Sequence, residues 1–339
     1  MKKIAMLHPA TILYHADCPD GFGAAYAAWR RYGERAAYVP LHHGEPWDKL
    51  ELAGRDVFIL DFSFPPADLL AMAAVAHSVF LLDHHVTARQ AWAGQLAADT
   101  GQRGLALHRH PGLPLTVAFD LDKSGARLAW EHFHPGEPAP LLIAHIEDQD
   151  LWRFRLPDTR PFCQALRLRP YDFAVWDGIV REAASPAATR YREMVAEGAA
   201  IERFCALEVE RLGDGSLVTP AILRGEPVDA LQARRHGLPV ITDGEDSWRA
   251  IDGLAINASG VFASDLGNRL AEKSGSFGLV WQLAGGGEVR VSLRACGRVD
   301  VAAIAQNYGG GGHPNAAGFR LPLQRFTAEV LQPSLRRPV

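Results

Sequence analysis

Four short stretches of this sequence hold the residue types that bind cations and move protons. The first is His15-Ala-Asp17-Cys-Pro-Asp20-Gly21 and the second a lone Asp61. The third is Asp83-His84-His85 and the fourth Glu147-Asp148-Gln149-Asp150. Carboxylates mixed with imidazoles suit near-octahedral divalent metals such as Mn²⁺ better than a closed tetrahedral zinc site. Each piece also has an ordinary structural explanation. An Asp just after a strand is commonly a helix N-cap, and Asp17 and Asp20 have the composition of turn residues. A His-His pair is often a satisfied surface or core feature. Jointly these explanations are poor, because four or more carboxylates crowded at one place repel unless cations hold them.

The flanking elements decide whether the clusters meet. Residues 11–14, 57–60 and 79–82 read as continuous apolar strands, and residues 21–31, 66–76, 124–133 and 140–146 as helices. That alternation predicts an α/β domain with a parallel sheet covered on both faces. In such a sheet the carboxyl ends of the strands share one edge, where ligands bind. The first three clusters directly follow strands, so they converge. The fourth joins them if its helix ends over the same edge.

Residues 185–212 have apolar positions at helical spacing and begin with Ser-Pro, an N-cap and first-turn pair, which predicts a connecting helix. Beyond it, residues 254–257, 277–281 and 289–293 read as strands of a mostly antiparallel sheet. Residues 264–273 and 301–307 read as helices, and Gly285-Gly-Gly287 as a hairpin turn. The expected division is a catalytic domain over 1–185, a helical linker over 186–215, and a smaller α+β mixed-sheet domain over 216–339.

A second constellation lies near the C-terminus, Gly309-Gly310-Gly311-Gly312-His313-Pro-Asn315-Ala-Ala-Gly318-Phe319. Consecutive glycines permit close backbone approach and expose N–H groups as an anion nest. Glycine runs are usually linkers, but the residues that follow this one do not have linker composition. His313 and Asn315 add side-chain donors. Arg294 ends a strand pattern with Val289, Val291 and Leu293. Beside the glycine motif it reads as a phosphate clamp rather than an exposed ion-pairing Arg.

Composition narrows the function. The chain has 339 residues with 35 basic and 39 acidic side chains, a net charge of −4. That argues against a protein that grips nucleic acid over its whole surface and leaves room for a local phosphate site. With 48% hydrophobic and 22% charged residues it is not a largely disordered chain. Cys18, Cys163, Cys205 and Cys296 form no Cys-x-x-Cys pair, which excludes a disulfide scaffold or zinc ribbon and suits a reducing compartment. The longest apolar run, residues 69–82, is too short to span a bilayer and contains His77. The N-terminal apolar stretch breaks at His8-Pro9, unlike a signal peptide. The expectation is a cytoplasmic protein with no membrane partner.

These motifs resemble the DHH phosphoesterase superfamily, which takes its name from a triplet such as Asp83-His84-His85. The motif order agrees, the glycine-rich segment resembles the signature of the DHH-associated C-terminal domain, and Val291-Ser-Leu-Arg294 resembles that domain's arginine strand. The resemblance spans about residues 11–322. One departure is Asp17-Cys18-Pro19-Asp20-Gly21 in place of Asp-x-Asp-Gly, which leaves open which of Asp17 and Asp20 serves which metal.

The resemblance implies two lobes facing one cleft and two divalent metal ions, Mn²⁺ by preference. His15, Asp17 and Asp61 would bind one ion, and Asp20, Asp61, His84 and Asp148 the other, with Asp61 bridging. Four carboxylates and two neutral imidazoles balance two divalent cations. Asp83 would orient an imidazole, His85 would contact phosphate oxygens, and Asp150 would be a cap or an outer hydrogen-bonding group. Arg294, Gly310, Gly311, Gly312, His313 and Asn315 would hold the substrate. The implied activity is hydrolysis of short single-stranded oligonucleotides or linear dinucleotides by a metal-activated hydroxide. Alternatives are an exopolyphosphatase, a phosphatase of 3′-phosphoadenosine nucleotides or another small phosphorylated nucleotide, and a catalytically silent nucleotide sensor. Trp152 is a candidate base-stacking platform, with a core tryptophan as the alternative. The oligomeric state is left open, a homodimer included.

Overall fold

The structure is a computed structural model that describes residues 8–95, 104–185 and 188–331. Neighbouring side chains of a strand point to opposite faces of its sheet. Ile12 and Leu13, adjacent in β1 (Ala10–His15), are both fully buried. Ile12 packs with Phe22, Ala24 and Ala27 of α1 (Pro19–Tyr32). Leu13 belongs to a second core with Leu69, Met72 and Ala73 of α2 (Pro66–Val75). Two-sided burial is the reason for unbroken apolar runs in these strands, as the sequence predicts.

The first sheet contains β1, β2 (Ala36–Leu41), β3 (Asp56–Leu60), β4 (Ser78–Asp83), β5 (Ala106–Arg109) and β6 (Leu115–Phe119). Its order is β2-β1-β3-β4-β6-β5, parallel throughout except for β5. The further helices are α3 (Val86–Gln90), α4 (Gly125–Phe133), α5 (Leu141–Asp150), α6 (Thr159–Leu166), α7 (Phe173–Ala183) and α8 (Thr189–Gly213). Three strands of this sheet escape the sequence reading. β2 and β5 are edge strands with half-exposed patterns, and β2 contains Pro40, which is tolerated only at such an edge. β6 is short and lies between β4 and β5.

Two helix boundaries differ from expectation. α5 continues to Asp150 instead of ending at residue 146, so the fourth acidic cluster forms its last turn. α8 starts at Thr189 rather than at the Ser-Pro pair. Ser185 Oγ still accepts from Ala188 N at 3.2 Å, while Pro186 lies outside the described residues.

The chain forms two compact units, Met1–Glu202 and Arg203–Val339, dividing inside α8. The second unit is α+β. Its strands are β7 (Thr219–Pro227), β8 (Val240–Asp243), β9 (Asp246–Asn257), β10 (Phe277–Leu283), β11 (Glu288–Ala295), β12 (Gly311–His313) and β13 (Ala316–Pro322). They run in the order β12-β13-β11-β10-β9-β7 with β8 on β9, and only the β9–β10 pair is parallel. Helices α9 (Ala230–Arg235), α10 (Ala263–Ser274), α11 (Val301–Gln306) and α12 (Leu323–Phe326) complete it. Leu279 and Val280 of β10 again serve separate cores, Val280 with Leu266 and Leu270 of α10, and Leu279 with Ala302 and Ala305 of α11. Among the described residues no helix is long and apolar enough to cross a membrane.

Candidate metal and phosphate sites

Five parallel strands of the first sheet end at one edge, and the polar residues that follow them are brought together there. Asp61 ends β3 with a left-handed backbone, φ 64°. Its amide donates to Leu82 O at 3.0 Å, which ties it to the neighbouring strand. A side-chain-bearing residue in that conformation costs of order 1–3 kcal/mol and persists only where its surroundings fix it. Gly125, at the start of α4, is one such constraint. A Cβ there would lie 2.5 Å from Asp61 Cβ and Oδ1, so only glycine lets α4 approach this closely.

Asp61 is 1% exposed and lies between two imidazoles. His84 Nε2 is 3.1 Å from Oδ1, and His15 Nδ1 is 3.5 Å from Oδ2. His84 Nε2 also lies 3.6 Å from Asp20 Oδ2 and 3.7 Å from Asp150 Oδ2. Asp20, in the first turn of α1, additionally accepts the amides of Gly125 at 2.6 Å and Ala126 at 2.9 Å. It thereby caps α4 and is locked in place. Cys18 also offers its sulfur to a group with His15 and Asp61. A cavity of about 70 Å³, room for a few waters, adjoins Asp20 and Asp150, with Cys18, Gln149, Cys163 and Arg167 in its wall.

The electrostatics are those of a negative cluster held by imidazoles. Burial raises the Asp20 pKa well above the ordinary carboxylate value, and the charges of Asp61 and Asp150 add to it. Asp150 is also raised, by burial first and then by Asp61, against His84. Burial opposes ionisation of Asp61 too, but hydrogen bonds from His15 and His84 outweigh it and hold Asp61 well below the usual value. Burial lowers His84, and Asp61, Asp150 and Asp20 together raise it well above an ordinary imidazole. Three carboxylates around one imidazole thus favour positive charge at this point, which a bound cation would also supply. Oxygen donors with one or two imidazoles, crowded and deeply set, fit divalent metal.

Asp83 is fully buried and serves the triplet itself. Its Oδ1 accepts from the amides of His84 at 2.7 Å and His85 at 3.3 Å, and lies 2.7 Å from His85 Nδ1. Burial lowers the His85 pKa, but the Asp83 charge and hydrogen bond outweigh it, so the net shift is upward. A carboxylate on Nδ1 fixes the ring and directs Nε2 chemistry elsewhere.

Two expected ligands are not part of this group. Asp17 sits at the outer corner of the strand-to-helix turn, with φ 53° and a side chain 84% exposed, 3.6 Å from His42 Nε2. It is a turn residue, which Asp tolerates in that conformation. Asp148 accepts from Arg155 N at 2.8 Å, Leu156 N at 3.0 Å and Thr159 Oγ1 at 2.6 Å, so its carboxylate serves the loop after α5. Asp150, expected as a cap or outer group, brings its carboxylate to the cluster instead.

The sequence does not single out His43, because β2 has no clear strand pattern. His43 follows β2 at the same edge, its ring 4.7 Å from His15 and 5.9 Å from His85. Desolvation, with help from His15 and His85, lowers its pKa to about 4, so the ring is neutral at neutral pH.

In the second unit, the glycine motif folds as a short edge strand rather than an open loop. β12 pairs His313 with Ala316, and β11 pairs Arg294 with the same Ala316. Directly opposed residues share a face, so Arg294 and His313 flank one small alanine. Two strand spacings put their backbones about 10 Å apart. Arg294 Nη2 donates to Ser264 Oγ at 2.7 Å and Nη1 to Leu293 O at 2.8 Å. Gly310, Gly311 and Gly312 bring β12 against β13. A Cβ at Gly310 would sit 2.1 Å from Gly318 O, and at Gly312 2.5 Å from Ala316 O. Asn315 has a structural task, its Oδ1 accepting from Gly297 N at 3.0 Å.

Residues 253–332 match the DHHA1 domain family. The chain is 30% identical over 326 residues to the uncharacterized protein R106 of Acanthamoeba polyphaga mimivirus, covering 91% of this chain. It spans only 66% of that relative's length. Similar solved structures include RecJ with Mn²⁺ from Thermus thermophilus, at TM-score 0.44 and 16% identity, covering 94% of this chain and 50% of RecJ. Another is the pGpG-specific phosphodiesterase PggH from Vibrio cholerae, at TM-score 0.37 and 10% identity, covering 95% of this chain and 96% of PggH. The matched residues make the C-terminal region of this chain a DHHA1 domain.

Proposed function

We propose that this protein is a divalent-metal-dependent phosphodiesterase that hydrolyses short single-stranded oligonucleotides or linear dinucleotides. The observation that carries this reading is His84 Nε2 within 3.7 Å of carboxylate oxygens from Asp20, Asp61 and Asp150, which arise from three separate elements. Asp20, Asp61, Asp150, His84 and His15 would hold the metal, with Mn²⁺ favoured by the imidazoles. Divalent cations held there would supply Lewis acidity toward a phosphoryl oxygen and acidify the attacking water.

The chain's own residues do the rest. Asp61 fixes the spacing of His15 and His84. Asp83 orients His85 and favours its charged form, which suits a donor to a phosphate oxygen or to the leaving oxygen. In the DHHA1 domain, Arg294 and His313 would grip a phosphate or nucleoside of the substrate. A near-neutral chain with one such grip suits a short substrate rather than long duplex.

The test is incubation of metal-stripped protein with Mn²⁺ or Mg²⁺ and a panel. It comprises a linear dinucleotide, a five-residue RNA, polyphosphate, a 3′,5′-bisphosphate nucleotide and a cyclic dinucleotide, with products followed by chromatography. Mononucleotides from the dinucleotide and the RNA, faster with Mn²⁺ than with Mg²⁺, are expected. Phosphate released only from polyphosphate or the bisphosphate, or full turnover after exhaustive chelation, would overturn the reading.

A further inference from the structure

We propose that Trp152 is a stacking platform for an unpaired nucleobase of the substrate, an inference that rests on the phosphodiesterase reading above. Trp152 opens the loop between α5 and α6, two residues after Asp150. Their Cα atoms are therefore at most about 7 Å apart, and the Asp150 carboxylate lies 3.7 Å from His84. Trp152 is 41% exposed and is the sole tryptophan among the large exposed apolar side chains of the described residues. Trp152 thus stands on the segment that directly follows an Asp of the cluster, with its indole partly open to solvent rather than packed in the core.

The ring is also held rigidly. Trp152, Phe154 and Asp158 all have left-handed backbones, with φ of 54°, 49° and 66°. Residues with side chains adopt that conformation only where their surroundings impose it. Asp148 does so. Its carboxylate accepts from Arg155 N, Leu156 N and Thr159 Oγ1, and its carbonyl from Arg153 N at 2.8 Å and Phe154 N at 3.3 Å. Phe154 meets Trp152 edge-on with centroids 4.8 Å apart. The Arg160 guanidinium lies 4.0 Å from the Phe154 centroid and 5.2 Å from that of Trp152. A preorganised ring loses little freedom when a ligand stacks on it. Aromatic rings beside arginines are how single strands are held without base-specific hydrogen bonds, because every base has a π-face. Arg153, Arg155 and Arg160 put positive charge on the same segment.

The experiment compares Trp152→Ala and Trp152→Phe on two substrates, a linear dinucleotide and its analogue with one base removed. Trp152→Ala should lower kcat/KM for the full dinucleotide roughly tenfold and leave the abasic analogue unchanged. Trp152→Phe should recover most of the loss. A second arm needs no turnover. A 2-aminopurine dinucleotide with a non-hydrolysable phosphonate linkage is titrated into each protein in Mn²⁺, and its fluorescence should be quenched by wild type and by Trp152→Phe but not by Trp152→Ala. Equal loss on both substrates, quenching that survives in Trp152→Ala, or no quenching by wild type would overturn the platform. Quenching through Trp152 in a protein that cleaves no dinucleotide would overturn the phosphodiesterase reading and leave the platform standing. Binding of a protein partner to Trp152, with no base-dependent effect, would overturn the platform as well.

Discussion

The carboxylate that reaches His84 from α5 is that of Asp150, with Oδ2 3.7 Å from Nε2, and not that of Asp148. Two residues along an α-helix are separated by about 200° of rotation. If one of this pair faces the sheet edge, the other must face away. Asp148 faces the loop after α5, which it holds by accepting three hydrogen bonds at its carboxylate.

That opposition separates two variants. Asp150→Asn should weaken Mn²⁺ binding and turnover by tenfold or more while leaving the fold intact. Asp148→Asn should cost about 1–3 kcal/mol of stability through poorly satisfied loop donors. Mn²⁺ titration calorimetry and urea unfolding of both variants check the pair, and the reverse assignment of effects would refute it.

Asp148 also predicts an acid limb of stability. Burial raises its pKa, but hydrogen bonds from Thr159, Arg155 and Leu156 outweigh that and lower it in the folded state. The stabilisation is therefore present above the ordinary carboxylate value, near pH 3.9, and is lost as pH falls through the lowered folded value. The difference in unfolding free energy between wild type and Asp148→Asn should be full at pH 6 and shrink below about pH 4. A difference that stays constant down to pH 2 would contradict this.

Asp61→Asn should abolish turnover in a protein that remains folded by circular dichroism, since Asp61 joins the His15 and His84 sides of the cluster. Gly125→Ala should mimic it from outside. The new methyl would meet Asp61 at 2.5 Å and force the carboxylate or α4 aside. Retention of wild-type Mn²⁺ affinity in Gly125→Ala would show that the close approach is not what positions Asp61.

Arg294→Ala and His313→Ala should leave the metal site loaded. Loss of one charge-assisted contact to substrate should cost about 1.5–3 kcal/mol, roughly tenfold to a hundredfold in kcat/KM on a dinucleotide. A nitrophenyl phosphodiester offers the DHHA1 domain little to hold, so its hydrolysis should be nearly unchanged. Equal loss on both substrates would assign these residues to the chemistry or to the fold.

The sequence by itself determined the parallel sheet, because buried strands must be apolar on both faces, and it determined that His15, Asp61 and His84 share an edge. It also carried the DHHA1 match, since the glycines at 310 and 312 are required where β12 touches β13. Only the tertiary structure decided the rest. β2 is an edge strand with Pro40, too weakly patterned to read, and with it came His43. Helical periodicity says that Asp148 and Asp150 face opposite ways, but which of them faces His84 depends on how α5 is rotated against the sheet. The left-handed backbone of Asp61 and the exposure of Trp152 are likewise set by what packs around them, namely Gly125 against the one and the Asp148-held loop beneath the other. Local residue types carry neither contact, because both join segments distant in sequence or depend on a loop's backbone conformation.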